Sequence, residues 1–173
     1  TYTEPFGLES VKIYNPDDTP EPNATSGAFL DALNRGSLML NFAGHGSANF
    51  MSFVIGLVPP LHRNWDYLGQ INNGRKLPLV LALSCLNGMF VIPTVDSISE
   101  TFTTMDGGGA IAYISASAKS FVAQNDLLTD IIYRQIFEDR LLAFGPTLNT
   151  AKVAVLAAHS SWDAAALTMQ LLG

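Results

Sequence analysis

The sequence predicts an α/β domain with a mostly parallel sheet and helices on both faces. Two observations carry this prediction. Apolar runs of strand length alternate with capped segments of helix length, and these runs are hydrophobic along their whole length. A strand with one solvent-exposed face would alternate apolar and polar residues instead. Continuous apolar strands separated by helices therefore favour three layers, with the sheet in the middle.

Turn and capping residues divide the first half of the chain into elements. Thr25 or Ser26 can cap a helix that includes Leu33 on its apolar face, and Gly36 supplies a left-handed stop. The strands are short apolar runs bounded by residues typical of turns. In order, we expect a strand at 11–14, a helix at 25–34, a strand at 38–42, a short helical piece at 65–71 and a strand at 79–84.

The second half continues the same alternation. Ser97 and Glu100 have the spacing of a capping box, and the glycines at 107–109 end that helix before the next apolar run. Pro146 is typical of a first helical turn. In order, we expect a helix at 97–105, a strand at 110–115, helices at 126–138 and 147–158, and a last strand at 165–172.

Length and charge limit the classes of function. A chain of 173 residues can bury one core, and its net charge of -6, with nine scattered Lys and Arg residues, argues against nucleic acid or an anionic membrane as partner. No run approaches the roughly 18 apolar residues that a membrane-spanning helix needs. One cysteine and three dispersed histidines make a poor zinc site. We therefore expect no metal, no cofactor and no membrane insertion.

Two candidate catalytic residues follow consecutive strands. His45 comes after the strand that ends near Ala43, and Cys85 comes after the strand that ends at Ser84. The carboxyl ends of parallel strands share one edge of the sheet, where ligands bind. Strands joined by one crossover lie side by side or one strand apart. The pattern therefore predicts a thiol and an imidazole on the same rim.

The residues around this pair suit acyl chemistry. The glycines beside His45 leave the amide of Gly46 free to point at a developing oxyanion, and the amide of Cys85 is the natural second donor. Taken alone, a single cysteine is more often a buried apolar residue, and a lone histidine more often makes structural hydrogen bonds. That reading suits His62 and His159. The shared rim favours a catalytic role for His45 and Cys85.

Three motifs follow one another in the order of a known family: Asn41-Phe-Ala-Gly-His-Gly-Ser47, Leu77-Pro-Leu-Val-Leu-Ala-Leu-Ser-Cys-Leu-Asn-Gly88 and Gly108-Gly-Ala-Ile-Ala-Tyr-Ile114. Together they resemble the gingipain-type cysteine peptidases of the caspase-like group, and the similarity covers nearly the whole chain. The resemblance implies a three-layer caspase-like sandwich. It also implies one catalytic domain over residues 1–173 that is cut at both ends.

The same resemblance assigns roles to residues. His45 and Cys85 would form the catalytic dyad, and the amides of Gly46 and Cys85 would form the oxyanion hole. The residues implied for the substrate pocket are Ser84, Ser115, Ala116 and Ser117. The implied reaction is endopeptidase hydrolysis through a thioacyl enzyme. The carboxylate that orients the histidine in the family lies upstream of the region matched from Val11 onward.

Two alternatives stay open at this point. The fold could serve as a catalytically silent binding or scaffold module, or an amine could capture the thioacyl group in a thiol-dependent acyl transfer. The expected partners are a protein or peptide substrate and either the rest of the same polypeptide or another chain that completes the domain. A secreted or cell-surface location is implied by the family alone, because its members are mostly exported.

Overall fold

Short apolar strands form the centre of the molecule. The structure is a computed structural model that describes residues 2–14, 22–52 and 68–173. After a 3-10 turn at Glu4–Phe6, its elements in chain order are α1 (Pro22–Arg35), β1 (Met39–Ala43), β2 (His45–Ser47), β3 (Phe50–Ser52), β4 (Leu79–Leu83), α2 (Ile98–Thr104), β5 (Ala112–Ala116), α3 (Val122–Phe137), α4 (Phe144–Ala158), α5 (Asp163–Thr168) and β6 (Met169–Leu172).

The main sheet has the strand order β1-β4-β5-β6. Strands β1, β4 and β5 are parallel, and β6 pairs with β5 in the antiparallel direction. In the register, Ala43 is opposite Leu83 and Leu79 is opposite Ala112. Strands β2 and β3 form a separate antiparallel hairpin directly after β1. The carboxyl ends of β1 and β4 therefore meet at one edge, beside this hairpin.

Side chains of the central strands divide the core into two layers. Leu79 and Leu81 of β4 pack with buried residues of α3 and α4, whereas Val80 and Ala82 pack with residues of α1 and α2. Each neighbouring residue thus points to the opposite face, as the period of a strand requires. Helices cover both faces, so the predicted three-layer α/β fold is confirmed.

Most predicted elements are confirmed, with shifted ends. The Ser97 and Glu100 capping box is present at the start of α2, while α3 and α4 begin a few residues earlier than expected. Of the short helical piece expected at 65–71, residues 65–67 lie outside the described residues. The sequence pattern also missed the β2–β3 hairpin, because its strands have only three residues each.

One strand prediction is wrong, and another is right only for the second half of its range. Residues 11–14 are irregular, since no described strand lies beside them to complete a hydrogen-bonded ladder. The expected last strand at 165–172 is a helix, α5, followed by the shorter strand β6. The alanines at 164–166 explain the difference, because alanine is the strongest helix former and offers little side chain to pack on a sheet.

Candidate active site

The register of β1 and β4 brings the two candidate catalytic residues to the same edge. Ala43 is opposite Leu83, and His45 and Cys85 each lie two residues further along their chains. The strands are immediate neighbours, which is the closer of the two arrangements that the sequence predicted. His45 is exposed and Cys85 is partly buried. The thiol is free, so it is available for chemistry.

The main chain holds the loop that carries Cys85 against the end of β5. Leu86 donates its amide to the carbonyl of Ala118 at 3.1 Å, and Gly88 donates to Ala116 at 3.0 Å. Leu86 adopts a φ of 63°, a conformation that non-glycine residues rarely take. Such a sharp turn persists only where surrounding contacts enforce it. The cysteine loop is therefore fixed by backbone bonds to the central sheet.

Ser120 contacts the sulfur of Cys85 through its amide, its hydroxyl and its carbonyl. Its amide donates to Sγ at 3.4 Å, its hydroxyl lies 4.0 Å from Sγ, and its carbonyl accepts from the thiol at 3.5 Å. The hydroxyl is held in turn by Nδ2 of Asn125 in the first turn of α3, at 3.1 Å. Sequence reasoning missed both residues, because a spacing of 35 or more positions gives no local pattern.

The hairpin of His45 rests on the cysteine loop. A methyl group added at Gly46 would lie 2.6 Å from the carbonyl oxygen of Cys85 and 2.7 Å from Nδ2 of Asn87. Only glycine permits this approach of the two main chains. Within residues 2–14, 22–52 and 68–173, no side chain forms a hydrogen bond with the His45 ring.

The four residues predicted for the substrate pocket lie close to this edge. Ser84, Ser115 and Ala116 have buried side chains, with 2%, 0% and 0% of their surface exposed. Ser117 is half-buried, and its hydroxyl donates to the carbonyl of Thr168 at 3.0 Å. Ser84 donates to Oδ1 of Asn87. Their part in lining a pocket stays a prediction.

The described parts of the chain contain neither a cluster of metal ligands nor a membrane-spanning helix. There, no three His, Cys, Asp or Glu side chains are grouped so that they could hold a metal ion. None of the helices described is long and apolar enough to cross a membrane.

Comparison with known proteins identifies the family of this chain and several of its relatives. The family model described as peptidase family C25 matches residues 1–173. Gingipain R2 and gingipain R1 of Porphyromonas gingivalis are each 28% identical over 81 residues, which are 47% of this chain and 9% and 7% of those proteins. The chain thus spans under a tenth of the length of these relatives.

Solved structures share the fold. The crystal structure of the Arg-specific cysteine proteinase gingipain R matches with a TM-score of 0.75 and 22% identity, over 94% of this chain and 37% of that one. The complex of the pro- and mature domains of RgpB matches with a TM-score of 0.74 over the same shares. The caspase-like fold and the gingipain resemblance are therefore confirmed. Because the family model covers the whole sequence, this chain belongs to peptidase family C25.

Proposed function

We propose that this chain carries the Cys/His centre of a cysteine endopeptidase. The observation that carries the proposal is the register of β1 and β4, which places His45 and Cys85 at equivalent positions beyond two adjacent strands. Membership of peptidase family C25 supports the same reaction class. In this proposal Cys85 is the nucleophile and His45 is the general acid and base.

The proposed reaction has two stages. The thiol of Cys85 gives its proton to His45, and the thiolate attacks the carbonyl carbon of the scissile bond. The amides of Gly46 and Cys85 stabilise the oxyanion, a contribution of about 10²–10³ in rate for one donor. The imidazolium of His45 protonates the departing amine, which leaves a thioacyl enzyme. A water molecule activated by His45 then hydrolyses the thioester and frees Cys85.

The free edge of the sheet is the proposed place where the domain is completed. Among the described residues, strand β1 pairs with β4 on one side only. A groove of about 610 Å³ lies along it, lined by residues 8–13, the end of α1 and β1 itself. Leu38 and Val11 leave 65% and 60% of their surface exposed there. An open edge strand is a template for pairing. We propose that another part of the polypeptide, or another chain, pairs there and supplies the carboxylate that orients His45.

A labelling experiment tests the nucleophile. The protein is incubated with a peptidyl chloromethyl ketone and with a broad peptide library, and both reactions are followed by mass spectrometry. We expect one label on Cys85 and peptide cleavage that is lost in Cys85→Ala. Cleavage that persists in Cys85→Ala would overturn the proposal, and the absence of both labelling and cleavage would favour a silent binding module.

The same assay separates hydrolysis from acyl transfer. Added hydroxylamine or an amino-acid amide competes with water for the thioacyl group. We expect free carboxylic acids as the main products without added amine. Ligated products at comparable yield would indicate a transferase instead.

The proposed location is the cell exterior or the cell surface, as the family resemblance implies. Fractionation of the source cells with an antibody against the chain tests this. Recovery only from the cytosolic fraction would contradict it.

A further inference from the structure

We infer that Asn87 is a positioning residue that fixes the hairpin of His45 onto the loop of Cys85. The inference rests on the proposed roles of those two residues. It adds the side chain that sets the distance between them. Asn87 lies two positions after Cys85, in the loop that follows β4. Its side chain forms hydrogen bonds with the hairpin.

The hydrogen bonds of Asn87 join both strands of the hairpin. Nδ2 donates to the carbonyl of Ser47 in β2 at 2.6 Å and to the carbonyl of Phe50 in β3 at 2.8 Å. Oδ1 accepts from the hydroxyl of Ser84, which lies just before the nucleophile. One amide group therefore connects the two residues that close the hairpin with Ser84, the residue before Cys85.

Burial makes this connection specific. Asn87 has 0% of its surface exposed, and both N–H groups of its amide are used. A buried donor or acceptor that loses its partner costs more than a solvated one, so the amide holds the hairpin in one place. Gly46 packs directly against the same amide, and a methyl group there would lie 2.8 Å from Oδ1. Gly46, the Asn87 amide and the carbonyl of Cys85 are therefore in close contact, with no space for a side chain at position 46.

Only an amide of this length supplies the whole arrangement. An aspartate would keep the size and the bond from Ser84 but would lose both donors and place a carboxylate against two carbonyl oxygens. Asn87→Asp should therefore push the hairpin away from the loop. Ser84→Ala is the milder change, because it leaves both bonds to the hairpin and removes only the group that orients the amide.

The hairpin has other attachments: the amide of Gly44, directly before it, donates to the carbonyl of Leu83 at 3.4 Å, and Met51 packs in the core. Among the described residues, Ile98 donates its amide to the carbonyl of Ala48 at 2.6 Å, and the hydroxyl of Tyr113 contacts Sδ of Met51 at 3.5 Å. Neither contact reaches the loop of Cys85. Asn87 thus provides the side-chain link between the two halves of the site.

The test compares the cleavage of an amide substrate with that of an activated ester by the intact protein. A p-nitrophenyl ester has a leaving group that needs no proton, so its cleavage depends less on the placement of His45. For Asn87→Asp we expect kcat on the amide to fall about 100-fold, as for a misplacement of about 1 Å, while KM changes little. The loss on the ester should be at least tenfold smaller. Ser84→Ala should show the same pattern with a smaller loss, about tenfold.

A double-mutant cycle tells positioning from general damage. In a His45→Ala background, Asn87→Asp should lower kcat almost no further. Its effect depends on the imidazole, which that background lacks. Asn49→Ala removes a bond at the exposed tip of the hairpin and should leave kcat within about twofold, which makes it the matched control. Equal losses on both substrates, or a full further loss in the His45→Ala background, would overturn the inference. If His45→Ala itself leaves kcat unchanged, the proposed dyad fails instead.

Discussion

The two halves of the candidate site are held in different ways. Cys85 follows β4, a central strand with a neighbour on each side, and backbone bonds from Leu86 and Gly88 hold its loop to β5. His45 follows β1, the edge strand, and begins a hairpin whose strands have three residues each. The side chain of Asn87 attaches that hairpin to the loop. The loop of Cys85 is thus held by main-chain bonds, whereas the hairpin of His45 also depends on a side chain.

This difference predicts different consequences of mutation. A change on the cysteine side disturbs the packing of β4 and β5 and should appear as a loss of stability. A change on the histidine side moves a hairpin with strands of only three residues and should appear mainly as a loss of kcat. Glycines on the two sides offer a matched comparison, because an added methyl group would clash at each.

The largest effect is expected for Gly46→Ala on the histidine side. The new methyl group would lie 2.6 Å from the carbonyl oxygen of Cys85, and the hairpin is the partner that is free to move. The shift would displace both His45 and the amide proposed for the oxyanion hole. We expect kcat to fall about 100-fold or more, as for the loss of one oxyanion donor. Steady-state kinetics and urea unfolding of the same preparation measure the two effects.

Gly27→Ala is the control for that substitution. Gly27 lies within α1, and a methyl group there would meet nothing within 4 Å. Replacement of a glycine by alanine inside a helix stabilises it by about 0.5–1 kcal/mol, so kcat should stay unchanged while the free energy of unfolding rises. A Gly46→Ala variant with wild-type kcat would show that the hairpin does not limit the reaction.

A smaller effect, on stability rather than turnover, is expected for Gly88→Ala on the cysteine side. The added methyl group would lie 2.6 Å from Oγ of Ser115 and 3.2 Å from its carbonyl oxygen, in a buried part of β5. Overpacking of this kind costs about 1–3 kcal/mol in the free energy of unfolding. Urea unfolding checks the value. Unchanged stability together with a large loss of kcat would mean that the cysteine loop is as movable as the hairpin.

Sequence patterns predicted more of the cysteine side of the site than of the histidine side. The central strands and the capped helix after Ser97 were visible because each is a local signal of apolar runs or capping spacing. The positions of His45 and Cys85 at one rim followed from the rule for parallel strands. The hairpin was missed, and so were the contacts of Asn87 and Ser120. These contacts join residues 35 to 40 positions apart, and only the folded chain brings them together.

A still smaller effect is expected for Ser120→Ala. The amide of Ser120 lies 3.4 Å from Sγ of Cys85, whereas its hydroxyl lies 4.0 Å away, so the backbone makes the closer contact. Alanine keeps that amide. We expect the rate of Cys85 alkylation by iodoacetamide to stay within about threefold of the wild type, since a bond to a distant sulfur contributes little. A tenfold or larger change would assign the hydroxyl a direct part in holding the thiol.

The smallest effect on turnover is expected for Tyr113→Phe. Its hydroxyl contacts Sδ of Met51, which joins the hairpin to β5, but a thioether is a weak acceptor. If Asn87 holds the hairpin, kcat should stay within about twofold. A tenfold loss would show that the Tyr113 contact positions His45 as well.

Stability at alkaline pH provides the second measurement on Tyr113→Phe. Burial raises the pKa of Tyr113 well above its ordinary value of 10.0. The folded state therefore keeps the phenol neutral, while the unfolded chain releases the proton above about pH 10, so stability is full below that pH and falls as the pH rises. Tyr113→Phe should remove this part of the alkaline loss and leave the stability at pH 7 within about 1 kcal/mol. An unchanged alkaline slope would show that the phenol is not shielded in the folded protein.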